Sequence, residues 1–96
     1  MSSYKLSRRA DRELLEIYLY GLEQFGPLQA ARYKAELDRC FELLASMPRM
    51  GRAADHLRQG VRRHEHVSHV ILYKEFKQHI RILAIVHGSS VRRLKL

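Results

Sequence analysis

A single cysteine, Cys40, is the whole thiol content of this 96-residue chain. It leaves no internal disulfide to form and fits a reducing compartment. Its place on an apolar helical face reads as a buried structural thiol rather than a nucleophile. Long hydrophobic runs are missing as well. Nothing reaches the length of a bilayer span, and no charged-then-apolar leader precedes a cleavage site, so a soluble, cytoplasmic chain is expected. The sequence also lacks an activated serine, a phosphate-cradling loop and a glycine-rich dinucleotide turn. Paired carboxylates for hydrolysis are absent. The acids fall mostly on helical stretches, interleaved with Lys and Arg.

Six histidines are present. His64 and His66 point the same way from a strand, and His69 follows shortly after. Zinc takes three or four ligands, and no cysteine or carboxylate pair accompanies these imidazoles at the usual spacing. No metal and no cofactor are expected. The aromatics Tyr4, Tyr18, Tyr20, Tyr33, Phe25 and Phe41 fall in or near helices as core candidates. Tyr73 and Phe76 lie on later strands but on opposite faces, which gives no platform for stacked bases. Direct nucleic-acid binding is therefore not expected, and neither is a membrane partner.

What the chain does have is positive charge, unevenly placed. The net charge is +8. Residues 1–47 balance seven basic side chains against seven acidic ones, so the whole excess lies beyond Met47. Such a concentration favours an acidic partner over a merely solvated surface only if other features agree.

The pattern along the chain predicts one α+β domain over residues 1–96. Ser3–Leu6 reads as a short edge strand, after which Ser7 caps a helix from Arg8 to Phe25. Ala10, Leu14, Ile17, Tyr18, Gly21 and Phe25 recur on it at helical spacing. Phe25-Gly26-Pro27 ends that helix and starts the next, because Gly26 tolerates the left-handed conformation and Pro27 suits a first turn. The second helix runs to about Ser46, with a stripe of Ala30, Tyr33, Leu37, Cys40, Leu44 and Met47. So short a link makes an antiparallel helical hairpin. Pro48-Arg49-Met50-Gly51-Arg52 closes it, and a polar connection leads to Gly60. Strands follow at about Val61–His66, His69–Phe76 and His79–His87, joined by turns at Val67-Ser68 and Lys77-Gln78. The result is a strand, a helical hairpin and a three-stranded antiparallel meander in one sheet.

The final strand, Ile80–His87, is unusual because strict alternation makes both of its faces apolar. Ile80, Ile82, Ala84 and Val86 form one; Arg81, Leu83, Ile85 and His87 form the other. If helices cover the first, then Leu83 and Ile85, with Ile71 and Tyr73 beside them, leave a second apolar face. A strand apolar on both sides needs two covers, and a protein partner is the expected second.

In order and spacing, these pieces resemble the RelE/ParE family of bacterial toxins. The carriers are Tyr4-Lys5-Leu6-Ser7 leading into Ala10, Phe25-Gly26, Ala30-Ala31, Tyr33 and Leu37. Leu43-Leu44-Ala45, Pro48, Gly51-Arg52, His69-Val70-Ile71-Leu72-Tyr73, Ile82 and Ile85-Val86-His87 complete the set. Together they span the chain from Tyr4 to about Gly88. The Phe-Gly turn, the Pro-x-x-Gly-Arg exit and His87 look most like the ParE branch.

That resemblance implies a toxin of a type II toxin–antitoxin system. It would inhibit DNA gyrase without catalysis and be neutralised in a hetero-oligomer with its cognate antitoxin. Ile71, Tyr73, Leu83 and Ile85 are then the candidate antitoxin-binding residues. Arg58, Arg62, Arg63, His87, Arg92 and Arg93 are the candidate target-binding residues. The RelE branch implies instead ribosome-dependent mRNA cleavage, here by Arg62, Arg81 and His87, with imidazole as acid or base. No tyrosine follows His87, which weakens that reading. The chain departs from the family at Ala84, where an arginine is usual, and alternation puts Arg81 on the opposite face from position 84. It also lacks the Met-Asp pair common after Gly88 in relatives. A toxin that has lost activity and persists as an antitoxin-binding module is the third reading.

Overall fold

The computed structural model describes residues 3–96. Their order is β1 (Ser3–Leu6), α1 (Arg8–Phe25), α2 (Pro27–Ser46), a 3₁₀ turn at Pro48–Met50, and β2 (Arg52–Ala53). β3 (Val61–His66), β4 (His69–Glu75) and β5 (His79–His87) follow, and a 3₁₀ segment, Gly88–Arg93, leads into the C-terminus. One five-stranded sheet has the order β1-β5-β4-β3-β2, with β1 parallel to β5 and every other pair antiparallel. The expected strand, hairpin and meander are all there. The polar connection after Gly51 adds β2, two residues paired with Arg62 and Arg63, too short to leave a periodic signature.

Local chemistry sets the helix ends. The Ser7 hydroxyl accepts a hydrogen bond from the Ala10 N–H at 3.0 Å and donates to the Leu83 carbonyl at 2.9 Å. One side chain thus caps α1 and ties it to β5. Gly26, at φ +87°, ends α1 through its N–H to the Leu22 carbonyl, and Pro27 opens α2. Only a glycine enters that conformation without strain.

The helices cover one face of the sheet. Ala10, Leu14, Leu37, Phe41, Leu44 and Ala45 pack against Ile71, Tyr73, Ile80, Ile82 and Ile85, and Tyr4 meets the Phe41 ring at 5.4 Å. Phe25 and Met47, at the ends of the helical stripes, stay exposed, as does Tyr20, which lies off the Ala10–Leu14–Ile17 stripe.

Strict alternation along β5 fails at one place. Leu72 pairs with Ala84 but Tyr73 pairs with Ile82, so Leu83 is an extra residue opposite the β4 ladder. A bulge of this kind reverses the facing of everything beyond it. Its cause is legible in the neighbouring edge. β1 ends at Leu6, and α1 then supplies the hydrogen bonds β1 no longer gives. The Ser7 N–H donates to the Ile82 carbonyl at 2.9 Å, and Glu13 Oε1 accepts from the Ile85 N–H at 2.8 Å.

This corrects the expected faces. Ile80, Ile82 and Ile85 all point at the helices, while Ala84 and Val86 point away. Ile71, Tyr73 and Ile85, expected on a face awaiting a partner, are 0%, 0% and 2% exposed beneath the helices. Only Leu83 of that set belongs to the second face, half-buried. Arg81 and Ala84, expected on opposite faces, share one, because their β4 partners Lys74 and Leu72 do.

The second face does not wait for a partner either. Val70, Leu72, Ala84 and Val86 are buried under Val91, Leu94 and Leu96 from the C-terminal segment and under Ala54 and Leu57 from the β2–β3 loop. Arg9 Nη1 donates to the Lys95 carbonyl at 2.8 Å and pins that segment across α1.

Candidate functional site

Three groupings collect the functional candidates. The first is built on the exit from α2. The Tyr73 hydroxyl donates to the Pro48 carbonyl at 2.7 Å and accepts from the Gly51 N–H at 2.9 Å. Arg62 Nη1 donates to the Gly51 carbonyl at 2.8 Å. A Cβ on Gly51 would collide with the Tyr73 hydroxyl and come within 2.9 Å of the Arg63 carbonyl, so space, not backbone angle, demands glycine there. Pro48, Gly51 and Tyr73 therefore form one structural knot, and Arg62 is one of its members.

The second grouping lies where the β3–β4 turn meets α2. Tyr33 Oη is 2.7 Å from His69 Nδ1, and His66 Nε2 is 3.1 Å from Glu36 Oε1. Cys40 Sγ is 3.5 Å from His66 Nδ1, and the His69 and His87 rings meet edge to face at 5.9 Å. Burial, the charge of Glu36 and the neighbouring Cys40 push the Tyr33 hydroxyl up to about 12. Burial, then His87 and His66, hold the His69 imidazole below its ordinary value. Burial and Glu36 raise the Cys40 thiol, which keeps it protonated and unreactive at neutral pH. Among the described residues no group of three or more His, Cys, Asp or Glu could hold a metal ion.

The third grouping is on the sheet face away from the helices. Lys5, Arg81 and Lys74 stand in register on β1, β5 and β4, and Arg52 and Arg63 face each other on β2 and β3. Glu65 makes an ion pair with Arg52 and lies 3.6 Å from Arg63 Nε, which has no hydrogen-bond partner among the described residues.

Against this map the candidate residues separate. Arg62 pairs with Tyr73, and His87 pairs with His69, four positions along β4, so both are on the helix side but far apart. Arg81 is on the other side. Arg62, Arg81 and His87 thus do not converge on any common point. Of the candidate target-binding set, Arg58, His87, Arg92 and Arg93 are exposed, whereas Arg62 and Arg63 are half-buried on opposite faces. His87 is held by Ser89, whose hydroxyl is 2.8 Å from Nδ1.

Two roles escaped the sequence reading. Glu13, one of the helical acids interleaved with Lys and Arg, is half-buried, bonded to the Ile85 N–H and paired with Arg9 at 3.1 Å. Its spacing four residues after Arg9 was the available signal. The outer surface of the hairpin also exposes Leu15, Leu19, Tyr20, Phe25 and Leu28, by 51 to 75%. Among the described residues no helix is long and apolar enough to cross a membrane.

A strand, a covering helical hairpin and a short antiparallel meander, with a row of cations on the face away from the helices, define an α+β fold of one sheet. The match to known proteins is specific. The family model described as ParE toxin of type II toxin-antitoxin system, parDE, covers residues 4–92. The chain is 38% identical over 96 residues to Toxin ParE1 of Caulobacter vibrioides, covering 100% of this chain and 99% of that protein. It is 37% identical over 73 residues to Toxin ParE1 of Mycobacterium tuberculosis (strain ATCC 25618 / H37Rv), covering 76% of this chain and 74% of that one. A solved structure titled "Chromosomal ParDE TA system from P. aeruginosa" has the same fold, with a TM-score of 0.76 at 24% identity, covering 91% of this chain and 96% of that one. The chain belongs to the ParE toxin family of type II toxin–antitoxin systems. The expected branch and α+β fold are both borne out.

Proposed function

We propose that this toxin inhibits DNA gyrase by binding, without catalysis, in the cytoplasm, and is neutralised in a hetero-oligomer with a cognate antitoxin. The observation that carries the non-catalytic reading is the separation of Arg62, Arg81 and His87. An acid–base nuclease needs its groups within hydrogen-bond reach of one reacting centre. Here one lies on the far face, and another is spent on the Gly51 carbonyl. Family membership supports gyrase as the target and an antitoxin as the partner.

The antitoxin site moves with the corrected faces. Ile71, Tyr73 and Ile85 are core residues, so the apolar surface available for an antitoxin helix is the outside of the hairpin. There Leu15 and Leu19 lie one turn apart, and a groove of about 840 Å³ runs between α1 and α2. An amphipathic helix reading such a groove anchors through residues at three- and four-residue spacing.

The test is a supercoiling assay with purified components. The toxin is expected to block gyrase supercoiling and trap cleaved DNA, and equimolar antitoxin to restore activity. Leu15→Glu/Leu19→Glu toxin should still inhibit but escape the antitoxin. Undiminished supercoiling at saturating toxin, with message cut on the ribosome instead, would overturn the reading.

A further inference from the structure

Lys5, Arg81 and Lys74 are direct cross-strand neighbours on three adjacent strands. At the ordinary strand spacing their Cα atoms lie across about 10 Å. Like charges placed directly opposite one another destabilise a sheet, and this row does so twice. Among the described residues none of the three takes part in an ion pair. The two acids on the strands are engaged or turned away. Glu65 is taken by Arg52 and Arg63, and Glu75 alternates to the helix side. Lys5 and Arg81 are exposed, and Lys74 is half-buried.

A second feature flanks the row at the β4–β5 turn, two residues along from Lys74 and from Arg81. Phe76, 43% exposed, stacks on His79 with centroids 5.2 Å apart and planes 10° from parallel, and Lys74 Nζ is 6.0 Å from the Phe76 ring. Tyr73 and Phe76 alternate and offer no joint stacking surface; the structure pairs Phe76 with His79 instead.

We propose that the Lys5–Arg81–Lys74 row, flanked by the Phe76–His79 pair, is a docking surface for the phosphate backbone of duplex DNA. Unpaired cations in a line suit a regular polyanion, since B-DNA presents one charge per about 1.7 Å of axis. The choice of duplex DNA rests on the gyrase reading, because gyrase holds its duplex where a bound inhibitor could meet it. The toxin then contacts enzyme and DNA together.

Fluorescence anisotropy of the full-length toxin with a labelled duplex of about 20 bp tests this across a salt series. Lys5→Gln/Lys74→Gln/Arg81→Gln is compared with Arg12→Gln/Arg32→Gln/Arg39→Gln, which removes equal charge from the helices. The row variant is expected to bind about tenfold or more weakly, with the salt slope reduced by about 2.7 for three lost phosphate contacts. The helix variant should keep the wild-type slope, and thermal melts show that both are folded. Equal losses in the two variants overturn the proposal. Displacement by polyglutamate as readily as by unlabelled duplex overturns it in favour of an acidic protein segment, and tighter binding to RNA overturns it in favour of RNA. A supercoiling assay runs beside it with wild-type toxin. Failure there, with the anisotropy result standing, refutes the gyrase reading and not the DNA surface.

Discussion

The two faces of the sheet are covered in different ways. On the helix side, Ile71, Tyr73, Ile80, Ile82 and Ile85 meet Leu37, Phe41 and Leu44, all nearly fully buried. On the other side smaller residues, Val70, Ala84 and Val86, with Leu72 among them, meet an irregular segment carrying Val91, Leu94 and Leu96. The first cover is two amphipathic helices capped and linked by their own sequence signals. The second hangs on few hydrogen bonds, chiefly Arg9 to the Lys95 carbonyl and the Gly88 N–H to the Ser68 carbonyl. The helix side therefore holds the fold, and the tail side is held more lightly.

The largest expected effect lies on the helix side. Phe41→Ala empties a fully buried site against Tyr4 and should cost about 3–5 kcal/mol, read from chemical denaturation. A comparable truncation in the tail, Leu96→Ala, removes a half-buried side chain, and a loss as large as that of Phe41→Ala would erase the contrast between the faces. Next is Gly51→Ala. The added methyl forces Tyr73 off Pro48 and Gly51, at a cost of about 1–3 kcal/mol, and a variant melting at the wild-type temperature would show that the knot yields freely.

Ala84→Arg sharpens the comparison from the tail side. Ala84 is completely buried, so the longer side chain must displace the segment above it. Limited proteolysis should then cut between Gly88 and Leu96, while the helix-side core keeps its slow hydrogen exchange. Exchange that quickens on both faces would mean that the two covers fold as one unit. The smallest effect concerns pH. His69 titrates below its ordinary value because it is buried beside His87 and His66. The unfolded chain therefore takes up this proton first as pH falls. Stability is full above the unfolded-state value, about 6.5, and is lost as pH drops from there through the native value. Between pH 7.5 and 5 the urea midpoint should fall further in the wild type than in His69→Gln; equal falls would place the pH dependence elsewhere.

Most of the architecture was readable because its signals are local. Ser7, Gly26 and Pro27 set helix ends by their own conformational preferences, and Val61–His66 and His79–His87 follow from pattern alone. What was not readable is non-local. The bulge at Leu83 arises because β1 stops and α1 takes over the edge of β5 through Ser7 and Glu13. Nothing within Ile80–His87 announces that change, and it moved Ile85 into the core and put Arg81 beside Ala84. The C-terminal cover was missed for a related reason. Val91, Leu94 and Leu96 follow no helical or strand period, so their shared role is visible only once the sheet is formed. Gly51 and Tyr73 were each noticed as parts of a familial pattern, but the hydrogen bonds that join the Tyr73 hydroxyl to Gly51 and to Pro48 span 22 and 25 residues.

The proposed toxin acts by binding rather than by cutting. Induction of the chain in cells without antitoxin tests it most directly, with chromosome breakage and message integrity followed in the same culture. The expected result is growth arrest with broken, gyrase-linked DNA and full-length messages. Arrest with intact DNA and messages cleaved within codons, abolished by His87→Ala, would contradict it.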